Sequence, residues 1–399
     1  MKNMVYIQSG GPTAVINSSL YGAIREAQKH KDRIGRILGS NHGIEGLIYD
    51  DLFYLDEEDD KQIELLKQTS GAILGSTRIK LPKDYHDDIY YKITENIKKH
   101  NIGYIFINGG NDSMDTCHRI SELTKELGLD VHVIGVPKTI DNDLAVTDHS
   151  LGFGSAAKYV VNAIAQISID ARAFKKGKVH IIEVMGRSAG WLTASTDLLP
   201  EDVRPDLIYL PEMTFTVGKF LEDVKNIYDK KGSVIIALSE GVIFDRAVGN
   251  AHVDAFGHAQ LEGVGVELAD YVENELKLPH RCIELSVPQR AFAPMISKVD
   301  QKEAIKTGAE AVKAALRGEK GKMIVLHRLS NTPYKIEYLS EDVGLIANAV
   351  RMIPERFIHD STRMDKEFQD YMLPLIQGEV KVEYENGIIK FAHFKKHKA

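Results

Sequence analysis

Short runs of apolar residues recur along the chain without the polar alternation of a half-exposed strand. They include "VYI" at 5–7, "IGYIFI" at 102–107, "VHVIGV" at 131–136, "VHIIEV" at 179–184, "SVIIAL" at 233–238 and "KMIVL" at 322–326. A strand written this way is buried on both faces, as in a parallel sheet covered by helices. Stretches with helical spacing separate the runs, notably 16–29, 113–127 and 155–172. The alternation predicts an α/β fold with right-handed crossovers. At 399 residues the chain exceeds one ordinary core, which predicts two domains. Near the end, "VKVEYENGIIKFAHF" alternates on both sides of Asn386-Gly387, the signature of a type I′ hairpin.

Composition narrows the partners. The formal net charge is −7, which opposes binding to nucleic acid or an anionic membrane. An anionic substrate must then be drawn by a local basic pocket. Cys117 and Cys282 are the only cysteines, so no disulfide framework is expected, and a cytoplasmic location is. No apolar run is long enough to span a membrane, and the first residues, "MKNMVYIQSGG", lack the apolar core of a signal peptide.

In parallel sheets, ligands bind beyond the carboxyl ends of the strands. Three loops there carry chemistry. Gly10-Gly11-Pro12-Thr13 follows "VYIQS", and glycines let backbone N–H groups approach an anion. The same residues also suit a plain strand-to-helix turn. Gly109-Gly110-Asn111-Asp112-Ser113 follows "IGYIFIN", with Ser113 a candidate N-cap. Acids in a phosphate-seeking loop make sense beside Mg²⁺, a hard cation that takes carboxylates, waters and substrate phosphates. Asp112 is the candidate ligand; Asp115 is equally well explained by the first turn of a helix. Lys138-Thr139-Ile140-Asp141-Asn142-Asp143 follows "VHVIGVP". Paired carboxylates beside a lysine can combine a base, a metal contact and a phosphate contact.

"GFGSAA" at 152–157 imitates a dinucleotide fingerprint, with Asp170 further on. A true fingerprint places that acid at the end of a second strand, and Asp170 falls late in a helical pattern. Ser155 is read instead as an N-cap. His118 beside Cys117 and His280 near Cys282 lack zinc-ligand spacing. The glycine-rich stretch 254–265 is read as a connector.

These loops, with "MGR" (185–187), "SEG" (239–241) and "RCIELSVPQR" (281–290), resemble the phosphofructokinase family in order and spacing over residues 4 to 357. The resemblance implies two Rossmann-like domains: a phosphoryl-donor domain of 1–150 plus 289–340, and a sugar-phosphate domain of 151–288 plus 341–399. It implies transfer of a phosphoryl group to the 1-hydroxyl of fructose 6-phosphate, a glycolytic step, in a homodimer or homotetramer. Asp141 would be the base, with Lys138, Arg187 and Arg290 beside the transferred group. Thr139, Asp143, Met185, Gly186 and Glu240 would line the sugar-phosphate site. Lys178 and Arg281 would reach a neighbouring subunit's site. Gly10, Gly11, Arg78, Gly110, Asp112 and Ser113 would line the donor site.

Asp112 and Lys138 further resemble the pyrophosphate-using branch, whose ATP-using relatives have glycine at both places. A carboxylate there would repel the α-phosphate region of ATP, and the lysine would reach a phosphate and pair with Asp112. The family then implies a Mg²⁺-dependent, reversible pyrophosphate–fructose 6-phosphate phosphotransfer. The alternatives are ATP use on the same fold, an NAD-kinase-like enzyme, and a non-catalytic sugar-phosphate sensor. The later motifs oppose the second, and an intact Asp141 opposes the third. Two residues depart from the family pattern: Asn111 where many members have a metal-binding aspartate, and Val287 where the bacterial ATP enzymes have a sugar-phosphate histidine.

Overall fold

A computed structural model describes residues 1–245, 252–253, 259–260 and 263–399. Most of the 254–265 stretch read as a connector lies outside these residues. The strands run β1 (Lys2–Gln8), β2 (Ile34–Ser40), β3 (Leu52–Tyr54), β4 (Ile102–Gly109) and β5 (His132–Pro137). Next come β6 (Val179–Val184), β7 (Leu207–Tyr209), β8 (Val234–Ser239) and a two-residue ribbon of β9 (His252–Val253) with β10 (Ala259–Gln260). Then follow β11 (His280–Glu284), β12 (Lys322–Asn331) and β13 (Tyr334–Asp342). Two small hairpins finish the chain: β14 (Ile358–Asp360) with β15 (Arg363–Met364), and β16 (Tyr384–Glu385) with β17 (Ile388–Ile389).

The larger sheet has the order β13-β12-β5-β4-β1-β2-β3, and the smaller β11-β6-β8-β7. Every pairing in the smaller sheet is parallel. In the larger sheet only the two edges, β2-β3 and β12-β13, are antiparallel. Every residue of β4, β6 and β8 is buried, which is why these segments lack alternation. Helices Ile16–Ala27 and Lys298–Leu316 cover one face of the larger sheet, and Asp88–Lys99 with Asn111–Glu126 the other. Among the described residues no helix is long and apolar enough to cross a membrane.

In the larger sheet β1 has β2 on one side and β4 on the other, so the strand order reverses there. That reversal opens a crevice between the loops after β1 and β4. The smaller sheet has a matching reversal at β6, between β11 and β8.

Both predicted serine caps are corrected. Helix Asn111–Glu126 is capped by the backbone of Gly110, and Ser113 is buried in its first turn. Helix Phe153–Ala171 starts after Gly152, whose φ of 102° a side chain would disfavour. Its free N–H groups go to a distant acid: Asp300 accepts from the N–H of Gly152 and of Ser155 at 2.9 Å each, and from Ser155 Oγ at 2.5 Å. A buried carboxylate supplied from another helix takes the capping role assigned to Ser155.

The tail departs from the expected grouping of 341–399 with the second domain. Ile353, Phe357, Phe368, Tyr371 and Leu375 do pack in the core beside the smaller sheet. The last residues return to the larger sheet: Tyr54 N–H donates to the His397 carbonyl and Ala399 N–H to the Leu52 carbonyl, both at 2.9 Å. β3 is an edge strand, and the tail satisfies its open backbone groups. The Asn386-Gly387 turn has φ of 50° and 80°, as a type I′ hairpin requires, and Gln68 Nε2 ties the hairpin base by donating to the Lys390 carbonyl at 2.7 Å.

Candidate active site

A cavity of about 630 Å³ lies where the two sheets face each other with their carboxyl-end loops. Ser9 to Thr13 enter it from β1, Gly110 to Ser113 from β4, and Lys138 to Asp141 with Asp143 from β5. Met185, Arg187 and Ser188 follow β6, Glu240 follows β8, and Arg290 lies in the short helix Pro288–Ala291 after β11. Gly186 adjoins the wall, its N–H donating to Glu240 Oε1 at 3.3 Å. Two groups of the predicted site do not meet this cavity: Lys178 and Arg281.

The three loops of the larger sheet are bound to one another. Lys138 N–H donates to the Gly109 carbonyl at 3.0 Å, and Lys138 Nζ to the Gly11 carbonyl at 2.6 Å. Gly10 has φ 75°, and a Cβ there would lie 3.3 Å from Lys138 Nζ, so a side chain would press on the ammonium group. Lys138 is 2% exposed, and burial, partly offset by Asp141 and Asp143, lowers its pKa to about 8. It remains mostly charged at neutral pH.

The expected Lys138–Asp112 pair does not form. Asp112 instead pairs with Lys80 at 3.1 Å, and both line the cavity. Sequence reading missed Lys80 because it follows the "STR" turn rather than a strand. Asp115 separates from Asp112 in role: it faces away to Arg119 at 2.7 Å, one helical turn on. Asn111 is also committed elsewhere. Its Nδ2 donates to the Ala349 carbonyl at 2.6 Å and its Oδ1 accepts from Asn348 N–H at 2.8 Å.

Asp141 lies half-buried in the cavity wall, with its N–H donating to Thr139 Oγ1 at 3.1 Å. Burial first, then the charges of Asp143 and Glu240, raise its pKa to about 7 against the pull of Arg187 and Lys138. Burial also raises Asp143 and Glu240. A carboxylate tuned to neutral pH can accept a proton and release it again.

Arg290 faces this group from the other sheet. A Cβ on Gly11 would lie 3.1 Å from its Nη1. Burial and the charge of Arg78 lower its pKa. Its buried Nε has no hydrogen-bond acceptor among the described residues. A guanidinium N–H is chemically suited to a phosphate oxygen. Arg187 lies 3.7 Å from Glu240, and Gly241 keeps the two loops close, since a Cβ there would overlap the Arg187 carbonyl. Gln289, also missed from sequence, orients Met185 by accepting its N–H at 3.0 Å.

Backbone donors, arginines, lysines and a near-neutral carboxylate converge on one cavity between two α/β sheets, and this defines a phosphotransferase. Within that class the chain belongs to the phosphofructokinase family, whose model matches residues 3–315. It is 37% identical over 405 residues to the pyrophosphate–fructose 6-phosphate 1-phosphotransferase of Halomonas elongata, covering 99% of this chain and 97% of that one. It is 38% identical to the enzyme of the same name from Rhodospirillum rubrum, with 94% of each covered. Among solved structures, the pyrophosphate-dependent phosphofructokinase of Marinobacter aquaeolei superposes with a TM-score of 0.91 at 34% identity, over 100% of this chain and 97% of that one. That of Nitrosospira multiformis also gives 0.91, at 36% identity, over 100% and 98%.

Proposed function

We propose that this protein transfers a phosphoryl group from pyrophosphate to the 1-hydroxyl of fructose 6-phosphate, giving fructose 1,6-bisphosphate and phosphate in glycolysis. The observation that carries this reading is the donor side of the cavity. Buried Lys138, fixed on the Gly11 carbonyl, offers positive charge suited to a small anionic donor, while Asp112, held by Lys80, puts negative charge where a longer donor would extend. The homologues' names support the same reading.

Asp141 takes the proton of the 1-hydroxyl as its oxygen attacks phosphorus. The new O–P bond forms as the bridging P–O bond of pyrophosphate breaks, and phosphate leaves. Lys138, Arg290 and Arg187 balance the charge spread over the transferring group. The anhydride of pyrophosphate is exchanged for a phosphate ester, a near-balanced step whose direction follows the pools.

The family implies Mg²⁺. Among the described residues no three His, Cys, Asp or Glu side chains cluster as an all-protein metal site. Mg²⁺ that keeps its waters and substrate phosphates needs only one or two carboxylates. Asp112 fits, with Asp143 close enough that the charge of Asp112 helps raise its pKa. The ion would neutralise charge between the donor phosphates. Asn111, turned to the 348–349 backbone, would take no part.

Consumption of pyrophosphate should depend on fructose 6-phosphate and yield the bisphosphate. A sulfofructose kinase of Alkalicoccus urumqiensis is 33% identical over 88% of this chain and 91% of that one, so the acceptor trial should include sulfofructose. Consumption with sulfofructose alone, and none with fructose 6-phosphate, would overturn the acceptor assignment.

Lys178 and Arg281 stand at the amino ends of β6 and β11, where Arg281 is paired in register with His180. Strands of this length put them roughly 15–20 Å from the loops at the carboxyl ends. Their place in the proposed function is a neighbouring subunit's 6-phosphate subsite, which makes the enzyme a homo-oligomer. Arg281→Ala should raise KM for fructose 6-phosphate far more than KM for pyrophosphate. Random mixing with an inactive Asp141 variant should restore about a quarter of wild-type activity through hybrid sites. Sedimentation showing a fully active monomer would refute this arrangement.

A further inference from the structure

The loop that carries Asp141 and Asp143 runs from Pro137 to Phe153 without a strand or helix to fix it. Its conformation is demanding. Asn142, between the two acids, has φ 55°, and Val146 has φ 69°, unfavourable for a β-branched residue. What holds such a loop in register must come from outside it.

Two residues beyond the family match, which ends at residue 315, do so. Arg351 N–H donates to the Asp143 carbonyl at 2.8 Å. Its Nη1 donates to the carbonyls of Thr147, at 3.0 Å, and Asp148. Its Nη2 donates to Tyr371 Oη at 3.0 Å. The Tyr371 hydroxyl also accepts from Asn142 Nδ2 at 3.1 Å and donates to the Asp148 carbonyl at 2.8 Å. Asn142 completes the strut with its Oδ1, which accepts Ser150 N–H at 2.9 Å.

Both residues are themselves held. The Arg351 guanidinium lies 4.4 Å from the Trp191 ring centroid, and Trp191 Nε1 donates back to the Arg351 carbonyl at 3.2 Å. The Tyr371 ring packs against Trp191, Phe357 and Phe368, with the Arg328 guanidinium over it at 4.3 Å. A rigid aromatic cluster therefore carries the fork and the hydroxyl to the back of the acidic loop.

We propose that Arg351 and Tyr371 are positioning residues for phosphoryl transfer, clamping the Asp141–Asp143 loop from behind through Asn142. The inference rests on the proposed function for its kinetic consequence, and on geometry alone for the loop. A displaced base loses rate more than binding, since alignment of the reacting atoms is what suffers.

The test compares Tyr371→Phe, which removes one oxygen, and Arg351→Lys, which keeps charge but loses the fork, with Val224→Ala, a buried residue of the smaller sheet's outer core. The expected result for the first two is a fall in kcat of about tenfold or more, with both KM values within about threefold of wild type. Amide hydrogen exchange across 141–150 should quicken by about tenfold while β1 and β4 stay protected. Val224→Ala should lower the melting temperature without either effect. Tyr371→Phe with wild-type kcat, or with unchanged exchange across 141–150, would overturn the proposal. Should Arg351→Lys fail to fold, Tyr371→Phe decides alone. The exchange readout uses no substrate, so it stands even if the wild type proves inactive on pyrophosphate and fructose 6-phosphate.

Discussion

Asp141→Asn is expected to lower kcat by about 10²- to 10⁴-fold, the usual cost of a lost general base. KM for fructose 6-phosphate should change little, because the amide keeps the shape of the cavity wall and Arg187 and Glu240 remain. The wild-type pH profile carries the same assignment. The base works deprotonated, and burial with Asp143 and Glu240 raises its pKa to about 7 in the free site, against Arg187 and Lys138. The value of kcat/KM should therefore fall as pH drops below neutrality, rather than below the ordinary carboxyl value of 3.8. Stability moves the other way. A carboxyl whose folded pKa lies above its unfolded value binds its proton more tightly when folded. Its ionisation costs stability, by nothing below about pH 4 and in full above about pH 7. Asp141→Asn should accordingly melt higher than wild type at pH 8 and close to wild type at pH 4. An Asn variant with more than half the wild-type kcat would remove Asp141 from the role of base.

Much of this site was readable because its loops follow directly on strands that announce themselves. β4, β5, β6 and β8 are buried throughout or nearly so, so their apolar runs are continuous and the residue after each strand lines the cavity. Asp141 was singled out that way, whereas Arg187 and Glu240 came from the resemblance of "MGR" and "SEG" to the family and line the same cavity. The partners of site residues were not readable, because they are set by contacts distant in sequence. Lys138 reaches across 127 positions to the Gly11 carbonyl instead of to Asp112. Asp112 takes Lys80, and Asp300 caps a helix whose own serine had looked sufficient. Arg351 and Tyr371 carry no local signal at all: one follows an apolar stretch, the other sits in a short amphipathic helix. Only the folded chain brings them behind the acidic loop. The return of the last residues to β3 was not readable for a related reason, since an open edge accepts whatever segment can reach it.

Pyrophosphate should exceed ATP in kcat/KM by at least about a hundredfold, a gap of ~2.7 kcal/mol at the transition state. Two contributions add to that gap. Lys138 binds the small donor, and its position is fixed by the Gly11 carbonyl and by burial rather than by an acid. Asp112 repels and crowds the nucleotide, with Lys80 holding its carboxylate at the cavity wall. Replacing Asp112 with glycine should weaken pyrophosphate use modestly and admit some ATP. Replacing Lys138 with glycine should damage pyrophosphate use strongly while ATP stays excluded, since Asp112 keeps its own partner. The two side chains form no pair in the free enzyme but share the donor, so in the double variant their effects on donor use should not simply add. That variant should shift preference toward ATP without reaching the rate of a true ATP enzyme, because no adenine subsite has been built by the change. The measurement is kcat/KM for each donor in buffer freed of the other. ATP activity in wild type comparable to that with pyrophosphate would show that Asp112 and Lys138 do not select the donor.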